Sequence, residues 1–351
     1  MFDIGIEDRV SAVEKIIPRP PCDVAPMRTA FARMISKQWQ THVPPVLASC
    51  PEGIAGSQFV KGRFIGEMYA RACYSMLLVS QGGPGVLRTL LRAATLFPSS
   101  RWVTIKLGSA LPDGLAHLLP KSVHRQLLLM SALMGMLDVV LDEAALFGEP
   151  AGLRVASLMA GPFPENLLPA EEMIVVLAQA ARRSETVWQK EYWDSLLRPA
   201  VRKYCEAEVL AVKRLPDPTG MGHRSAGIEA AIKGMWYVAG PQIGLQCDRA
   251  GFEKHQWNRE QQWMADTTLL MQMIDDWVDQ DEDRGARLTP VVAGDWNLES
   301  IAGLFHKTIA DLGMLLDATG VRKPVLKAVI TDLYRDYLHT AMDAMRAGIA
   351  A

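Results

Sequence analysis

Six carboxylates stand within nine positions of the stretch IDDWVDQDEDR, directly after the apolar run TTLLMQM. Residues four apart lie one above another on a helix, so counting back by fours from the last aspartate traces one helical face. That face carries, in order, Trp263, Thr267, Met271, Asp275, Asp279 and Asp283. It is apolar in its first turns and acidic in its last three. Stacked carboxylates repel one another, so the pattern predicts a cation between them.

A second predicted helix, over 121–147, shows the same change of character. In LLLMSALMGMLDVVLDEAALFGE, the residues Met134, Asp138 and Asp142 share one face, and Glu143 lies beside the last of them. Acids near a helix C-terminus face the negative end of the helix dipole, which costs stability. One such acidic run is usually a solvated helix end. Two helices with the same unfavourable placement favour a functional site.

The residue types narrow the choice of cation. Asp279, Asp281 and Asp283 match the first ligands of an EF-hand loop, but Arg284 replaces its glycine and Pro290 its final glutamate. No histidine follows a glutamate by three residues, and no His or Cys cluster has zinc-site spacing, so di-iron and zinc sites are disfavoured. Oxygen ligands alone suit Mg²⁺, which completes its shell with water and phosphate oxygens. We therefore expect several Mg²⁺ ions to hold a diphosphate above an apolar substrate tail.

Helical spacing recurs along most of the chain, and alternating segments such as WVTIKL are too few to build a sheet. The stretch PRPPCDVAP predicts an irregular N-terminal arm over 1–25. The fold class predicted for the rest is all-α: a single-domain bundle of about ten helices over 26–351, around a central apolar cavity. The predicted helices cover 26–40, 57–80, 84–96, 121–147, 168–213 with a break near Pro199, 224–249, 256–284, 297–316 and 323–347.

Composition limits the partners and the compartment. The chain has 351 residues, 49% of them hydrophobic, and 37 basic residues against 39 acidic ones, so no basic field would attract nucleic acid. The longest apolar stretches fall short of the length of a membrane span, so no transmembrane segment is expected. Five scattered cysteines favour free thiols in the cytoplasm. The oligomeric state stays open, with a homodimer as the commonest closed symmetry.

The motifs DVVLDE and DDWVDQDED resemble the two acidic motifs of class I isoprenoid synthases, the superfamily of the class I terpene synthases. The first is similar to a DDxxD motif without the doubled leading aspartate, and the second occupies the positions of the N/D-x-x-x-S/T-x-x-x-E triad. The run IDDWVDQDEDR is most similar to bacterial large-terpene cyclases of the tetraprenyl-β-curcumene synthase type. The resemblance implies an isoprenoid synthase-like fold and a set of Mg²⁺ ligands: Asp138, Asp142, Glu143, Asp275, Asp279 and Asp283.

The resemblance also implies a reaction. A linear all-trans prenyl diphosphate would lose its diphosphate, and the carbocation left behind would cyclise or rearrange in a dry pocket. Catalysis would rest on the aspartates of the two motifs, through stabilisation of the leaving group and exclusion of water. The residues expected to bind the substrate are Arg284, Arg224, Lys233, Gly240, Arg335, Tyr337, Met134, Met271 and Trp263.

Two other functions stay open. The stretch MQMIDDWVD also resembles trans-prenyltransferases, which elongate or join prenyl units or transfer them to an acceptor. That family follows its first motif with paired arginines, and LDVVLDEAALFGEP contains none. The second alternative is a non-catalytic helical protein whose acidic helix ends bind Ca²⁺ or a basic partner.

Overall fold

The fold is all helical. The computed structural model describes residues 5–19, 25–48, 50, 56–79, 117, 119, 121–142, 154–155, 158, 165–167, 169–182, 202, 254–278, 297–319, 330–336, 338–339 and 342. Within these ranges the chain forms helices and no strand, which confirms that the fold is all-α. The count of about ten helices, the central cavity and the isoprenoid synthase-like architecture stay predictions.

Eight helices lie in the described ranges: α1 Ile6–Ile16, α2 Ala25–His42, α3 Pro44–Leu47, α4 Gly56–Val79, α5 Lys121–Asp142, α6 Pro169–Arg182, α7 Lys254–Val278 and α8 Leu298–Thr319. Residues 330–336, 338–339 and 342 are helical as well and are called the C-terminal segment. Helices α2, α4 and α8 agree with prediction to within a few residues. The predicted helices over 84–96 and 224–249 lie outside the described residues.

The prediction of an irregular arm over 1–25 is wrong at Ile6–Ile16, which form α1. Glu7 and Asp8 lie in the first turn of this helix and Lys15 in its last, an arrangement that suits the helix dipole. Val10 and Val13 are buried on its inner side. The prolines that follow end the helix, but they do not prevent one from forming before them.

Helix α5 lies at the centre of the described bundle and packs on α2, α4 and α6. Where it crosses α4, a Cβ added to Gly135 would stand 2.1 Å from the carbonyl oxygen of Gly62 and 2.6 Å from the amide nitrogen of Gly66. The two backbones therefore touch, which only glycine at these positions permits. The close approach buries α5 on nearly every side.

The burial of α5 also accounts for its hydropathy. Lys121–Val140 are long and apolar enough to cross a membrane by length and composition, but 89% of the most apolar stretch is buried inside the fold. A core helix buried on all sides shows the same composition as a membrane span.

Helices α7 and α8 form a second pair, and α1 packs on both of them. Asn297 starts α8: its side-chain oxygen accepts a hydrogen bond from the backbone N–H of Ser300 at 2.9 Å. The indole N–H of Trp263 on α7 donates to the carbonyl oxygen of Thr308 on α8 at 3.1 Å. This pair positions the second acidic stretch, which begins in the last turn of α7.

Candidate metal and diphosphate site

Asp138 is the one accessible side chain in the stretch 126–140 of α5. Every residue from Gln126 to Val140 is buried except Asp138, which is half-buried. One turn before it, Met134 has no exposed surface. The predicted change from apolar to acidic along this face is therefore also a change from buried to accessible.

The rest of the first motif lies at or beyond the end of the described helix. Asp142 is the last residue of α5, and its side chain, like Glu143, lies outside the described residues. The backbone of α5 continues without a break from Met134 to Asp142, so residues 134, 138 and 142 lie on one helical face.

Helix α7 shows the second predicted face as far as Asp275. Trp263, Thr267 and Met271 are buried, with at most 2% of each exposed, whereas Asp275 is half-buried. Asp138 and Asp275 each make interactions within the fold, so neither is an isolated charge. Each of the two acids follows a buried methionine by one turn.

Asp276 is directed differently from its neighbour Asp275. It is 9% exposed and accepts a hydrogen bond from the side-chain amide of Gln272 at 2.7 Å. The carboxylate of Asp275 thus lies on a more accessible face of the helix, and that of Asp276 lies on a buried face. This agrees with the counting by fours, which placed Asp275 on the acidic face and left Asp276 off it.

Trp263, which was predicted to bind the substrate, has a packing role on α7. Trp263 is 1% exposed and its indole N–H is bonded to α8. Beside it, Thr267 hydrogen-bonds with the hydroxyl of Tyr334 at 3.1 Å. Burial raises the pKa of Tyr334 to about 12, so this hydroxyl keeps its proton at neutral pH.

Arg335 is held by the N-terminal helix. It is 6% exposed, its Nη1 donates to the carbonyl oxygen of Ile17 at 2.7 Å, and its Nη2 donates to the carboxylate of Glu14. The structure therefore assigns Arg335 a role in attaching α1 to the C-terminal segment. Its predicted contact with a diphosphate stays a prediction.

Several predicted site residues lie outside the described part of the chain. They are Asp279, Asp283, Arg284, Arg224, Lys233, Gly240 and Tyr337. Within the described residues, no group of three or more His, Cys, Asp or Glu side chains is placed to hold a metal ion. Four of the six predicted ligand side chains are not among those residues. Mg²⁺ binding therefore stays a prediction, and the two described carboxylates have the donor chemistry that it requires.

The two acid-ended helices belong to different packing neighbourhoods. Helix α5 packs on α2, α4 and α6, whereas α7 packs on α1 and α8, and no extensive contact joins the described parts of α5 and α7. The face-to-face arrangement of their acidic ends stays a prediction.

The sequence analysis missed a cluster of four charges. Asp332 of the C-terminal segment lies 2.6 Å from Nη2 of Arg28 on α2 and 3.4 Å from Nη2 of Arg71 on α4. Asp336 pairs with the same two arginines, at 3.0 Å from Nε of Arg28 and closer to Arg71. Burial lowers the pKa of Arg71 to about 10, while Asp332 opposes this shift and Arg28 adds to it.

A signal for this cluster is present in the sequence. Asp332, Arg335, Asp336 and His339 have the spacing i, i+3, i+4 and i+7, which puts four ionisable groups on one helical face. Most of the other residues in that segment are apolar, so it is expected to pack against the fold. The charged groups on its face are then expected to pair with oppositely charged side chains.

A buried polar pair between α4 and α5 was missed as well. The hydroxyl of Tyr74 and Nδ1 of His124 are joined by a 2.7 Å hydrogen bond, and both side chains are buried. Burial, with a smaller contribution from Cys73, raises the pKa of Tyr74. The two residues are 50 positions apart, and no local spacing connects them.

Comparison of the chain with protein-family models, with curated proteins and with solved structures gives no significant match. The resemblance to class I isoprenoid synthases therefore rests on the two acidic motifs and their order along the chain.

Proposed function

We propose that this protein is a class I terpene synthase that ionises a linear all-trans prenyl diphosphate and cyclises or rearranges the resulting carbocation. The observation that carries the proposal is the position of Asp138, a half-buried carboxylate in the stretch 126–140, whose other residues are all buried. Asp138 already makes an interaction within the fold, so the proposal rests on its placement beside buried apolar side chains and not on a missing partner. On α7, Asp275 is likewise a half-buried acid one turn after a buried methionine.

The acids and the methionines would have different roles in this reaction. Asp138 and Asp275 would supply oxygen ligands. Met134 and Met271, one turn below each, are at most 2% exposed, so a hydrocarbon chain would contact them only after their flexible side chains move. Bound Mg²⁺ would take up negative charge on the departing diphosphate. In the reaction, the bond between the allylic carbon and the diphosphate oxygen breaks, and both electrons leave with the diphosphate. The carbocation then loses a proton to give a hydrocarbon, or takes up water and loses a proton from it to give an alcohol.

The test is diphosphate release from purified protein given Mg²⁺ and all-trans prenyl diphosphates of increasing length, with mass spectrometry of the organic extract. We expect one chain length to give a cyclic or rearranged product. Asp138→Asn and Asp275→Asn should each lower the rate by about 100-fold or more, because each removes a charged ligand.

Asp276→Asn is the matched control. It changes the charge by the same amount on the same helix, and its amide oxygen can still accept the hydrogen bond from Gln272. Activity should survive in this variant. Equal loss in Asp275→Asn and Asp276→Asn would contradict the assignment of the acidic face.

The same assay separates the alternatives. A prenyltransferase would need a second substrate and would form a longer prenyl diphosphate or a prenylated acceptor. Metal binding without diphosphate release, over the whole range of chain lengths and in the presence of acceptors, would leave the non-catalytic function.

A further inference from the structure

The N-terminal helix is attached to the C-terminal segment by charged groups at one of its ends. Arg335 donates to the carbonyl oxygen of Ile17 at 2.7 Å and to the carboxylate of Glu14, and Nε2 of His339 lies 3.1 Å from the same carboxylate. Arginine and carboxylate form the strongest hydrogen bonds available to side chains. Glu14 thus accepts a hydrogen bond from Arg335 and lies beside His339, both more than 300 positions away in the chain.

The rest of the attachment of α1 lies along one side of the helix. The helix has 11 residues and its first turn lacks a side-chain cap. Arg9, Val10 and Val13 are buried, with Ile17 just after the end of the helix, and Ile6 and Ile16 pack partly buried against the core. Arg9 also makes an interaction of its own within the fold. A helix of this length is marginal in isolation, so α1 depends on its docking to α7 and α8.

Three prolines follow α1 in the sequence: Pro18, Pro20 and Pro21. Because proline does not continue a helix, the sequence predicts no continuous helix from α1 into α2.

We propose that α1 is a strap that opens as a unit from α7 and α8. The hydrogen bond between Arg335 and the carboxylate of Glu14 holds this strap closed. Opening breaks the apolar contacts on the inner side of α1, the interactions of Arg9 and the charged hydrogen bonds of Glu14, while the contacts among the other helices stay in place. Because α1 packs on α7, opening uncovers part of the helix that carries Asp275. Opening of the strap would give an apolar substrate an entry route. That use rests on the proposed function, whereas the opening of α1 does not depend on it.

The test is hydrogen–deuterium exchange with mass spectrometry on the full chain, without metal or substrate. The backbone amides of α1 should exchange about 10-fold faster or more than those in the centres of α7 and α8. Glu14→Gln keeps the side-chain size and removes the charge. It should therefore raise the exchange rate of the α1 amides by about a further 10-fold, while the exchange rates of α7 and α8 stay unchanged.

Asp8→Asn is the matched control, since Asp8 is an exposed acid on the same helix. It should change the exchange of α1 far less than Glu14→Gln does. If Glu14→Gln fails to fold, the double variant Glu14→Gln/Arg335→Gln leaves no unpaired charge and should show fast α1 exchange beside protected α7 and α8.

Exchange of α1 at the same rate as α7 and α8 in the wild type would overturn the proposal, since it would mean that α1 opens only with the whole fold. Equal acceleration of all three helices in the variants would overturn it too. An inactive protein gives the same exchange readout, so failure of the proposed function is a separate outcome.

Discussion

Where α4 crosses α5, glycines let two backbones touch, whereas the C-terminal segment meets α2 and α4 through charged side chains. At the first contact Gly135 faces Gly62 and Gly66 at distances that exclude a single added carbon. At the second, Asp332 is 1% exposed and lies against Arg28 and Arg71. The first contact is specified by shape and the second by charge, so the two should respond to different changes.

The largest effect is expected from Gly135→Ala. Its Cβ would stand 2.1 Å from the carbonyl oxygen of Gly62, so the two helices would have to separate. We expect a loss of about 3 kcal/mol in the free energy of unfolding, at the upper end for overpacked cores. Urea unfolding followed by circular dichroism measures it.

Gly303→Ala on α8 is the control for that substitution. A Cβ at Gly303 would meet nothing within 4 Å. Alanine should there stabilise the helix by about 0.5–1 kcal/mol relative to glycine. The same sign of change at both positions would contradict the steric account of the α4–α5 contact.

The second-largest effect is expected at the contact of Asp332 with Arg28 and Arg71. Asp332→Asn leaves Arg28 and Arg71 with only the carboxylate of Asp336 between them. We expect a loss of about 2 kcal/mol, below the 3–5 kcal/mol typical of a fully buried pair because Arg28 is 39% exposed. Adding Arg71→Gln to Asp332→Asn should recover part of the loss. A loss within the range of surface ion pairs would show that the cluster is effectively solvated.

Alkaline pH tests how dry the α4–α5 region is. Burial raises the pKa of Cys73 from 9.0 to about 12, so the folded state keeps its proton where the unfolded state begins to lose it. The stability from this group is fully present below pH 9 and is lost as the pH rises towards 12. Between about pH 8 and about pH 10 the wild type should lose about 1 kcal/mol more stability than Cys73→Ala. Identical pH dependence in the two proteins would show that water reaches this thiol.

The smallest effect is expected at an exposed ion pair. Lys307 is half-exposed and lies 3.2 Å from Asp311, four residues along α8. Asp311→Asn should cost about 0.3 kcal/mol, as expected for such pairs on helix surfaces, and less at high salt. Thermal or urea unfolding measures this loss of stability. Its difference from the loss caused by Asp332→Asn shows how much burial adds to the cost of the same Asp→Asn change. A larger loss here than at Asp332 would reverse the comparison.

Much of the local structure was predictable from the sequence. The helices over 26–40 and 57–80 were predicted close to Ala25–His42 and Gly56–Val79, because apolar spacing and the prolines and glycines around it act over a few residues. The same periodicity predicted which residues of the two acid-ended helices share a face, whereas the site itself stays a prediction. Met134 and Met271 are buried, and the acid that follows each of them is more accessible.

Helix α1 was missed for a local reason. The stretch IEDRVSAVEKI has acids at its start, a lysine near its end and inward-facing valines, but the proline-rich stretch behind it outweighed these signals. A helix this short gains most of its stability from docking, which a sequence does not display.

The sequence by itself determined where helices form and which residues share a face, since both follow from contacts between residues three or four apart. Only the tertiary structure decided which faces meet. Arg335 pairs with Glu14 across 321 positions, and Asp332 pairs with Arg71 across 261. Such pairings depend on how whole helices pack, because a charge on a helix face can be satisfied by any partner that the fold brings near.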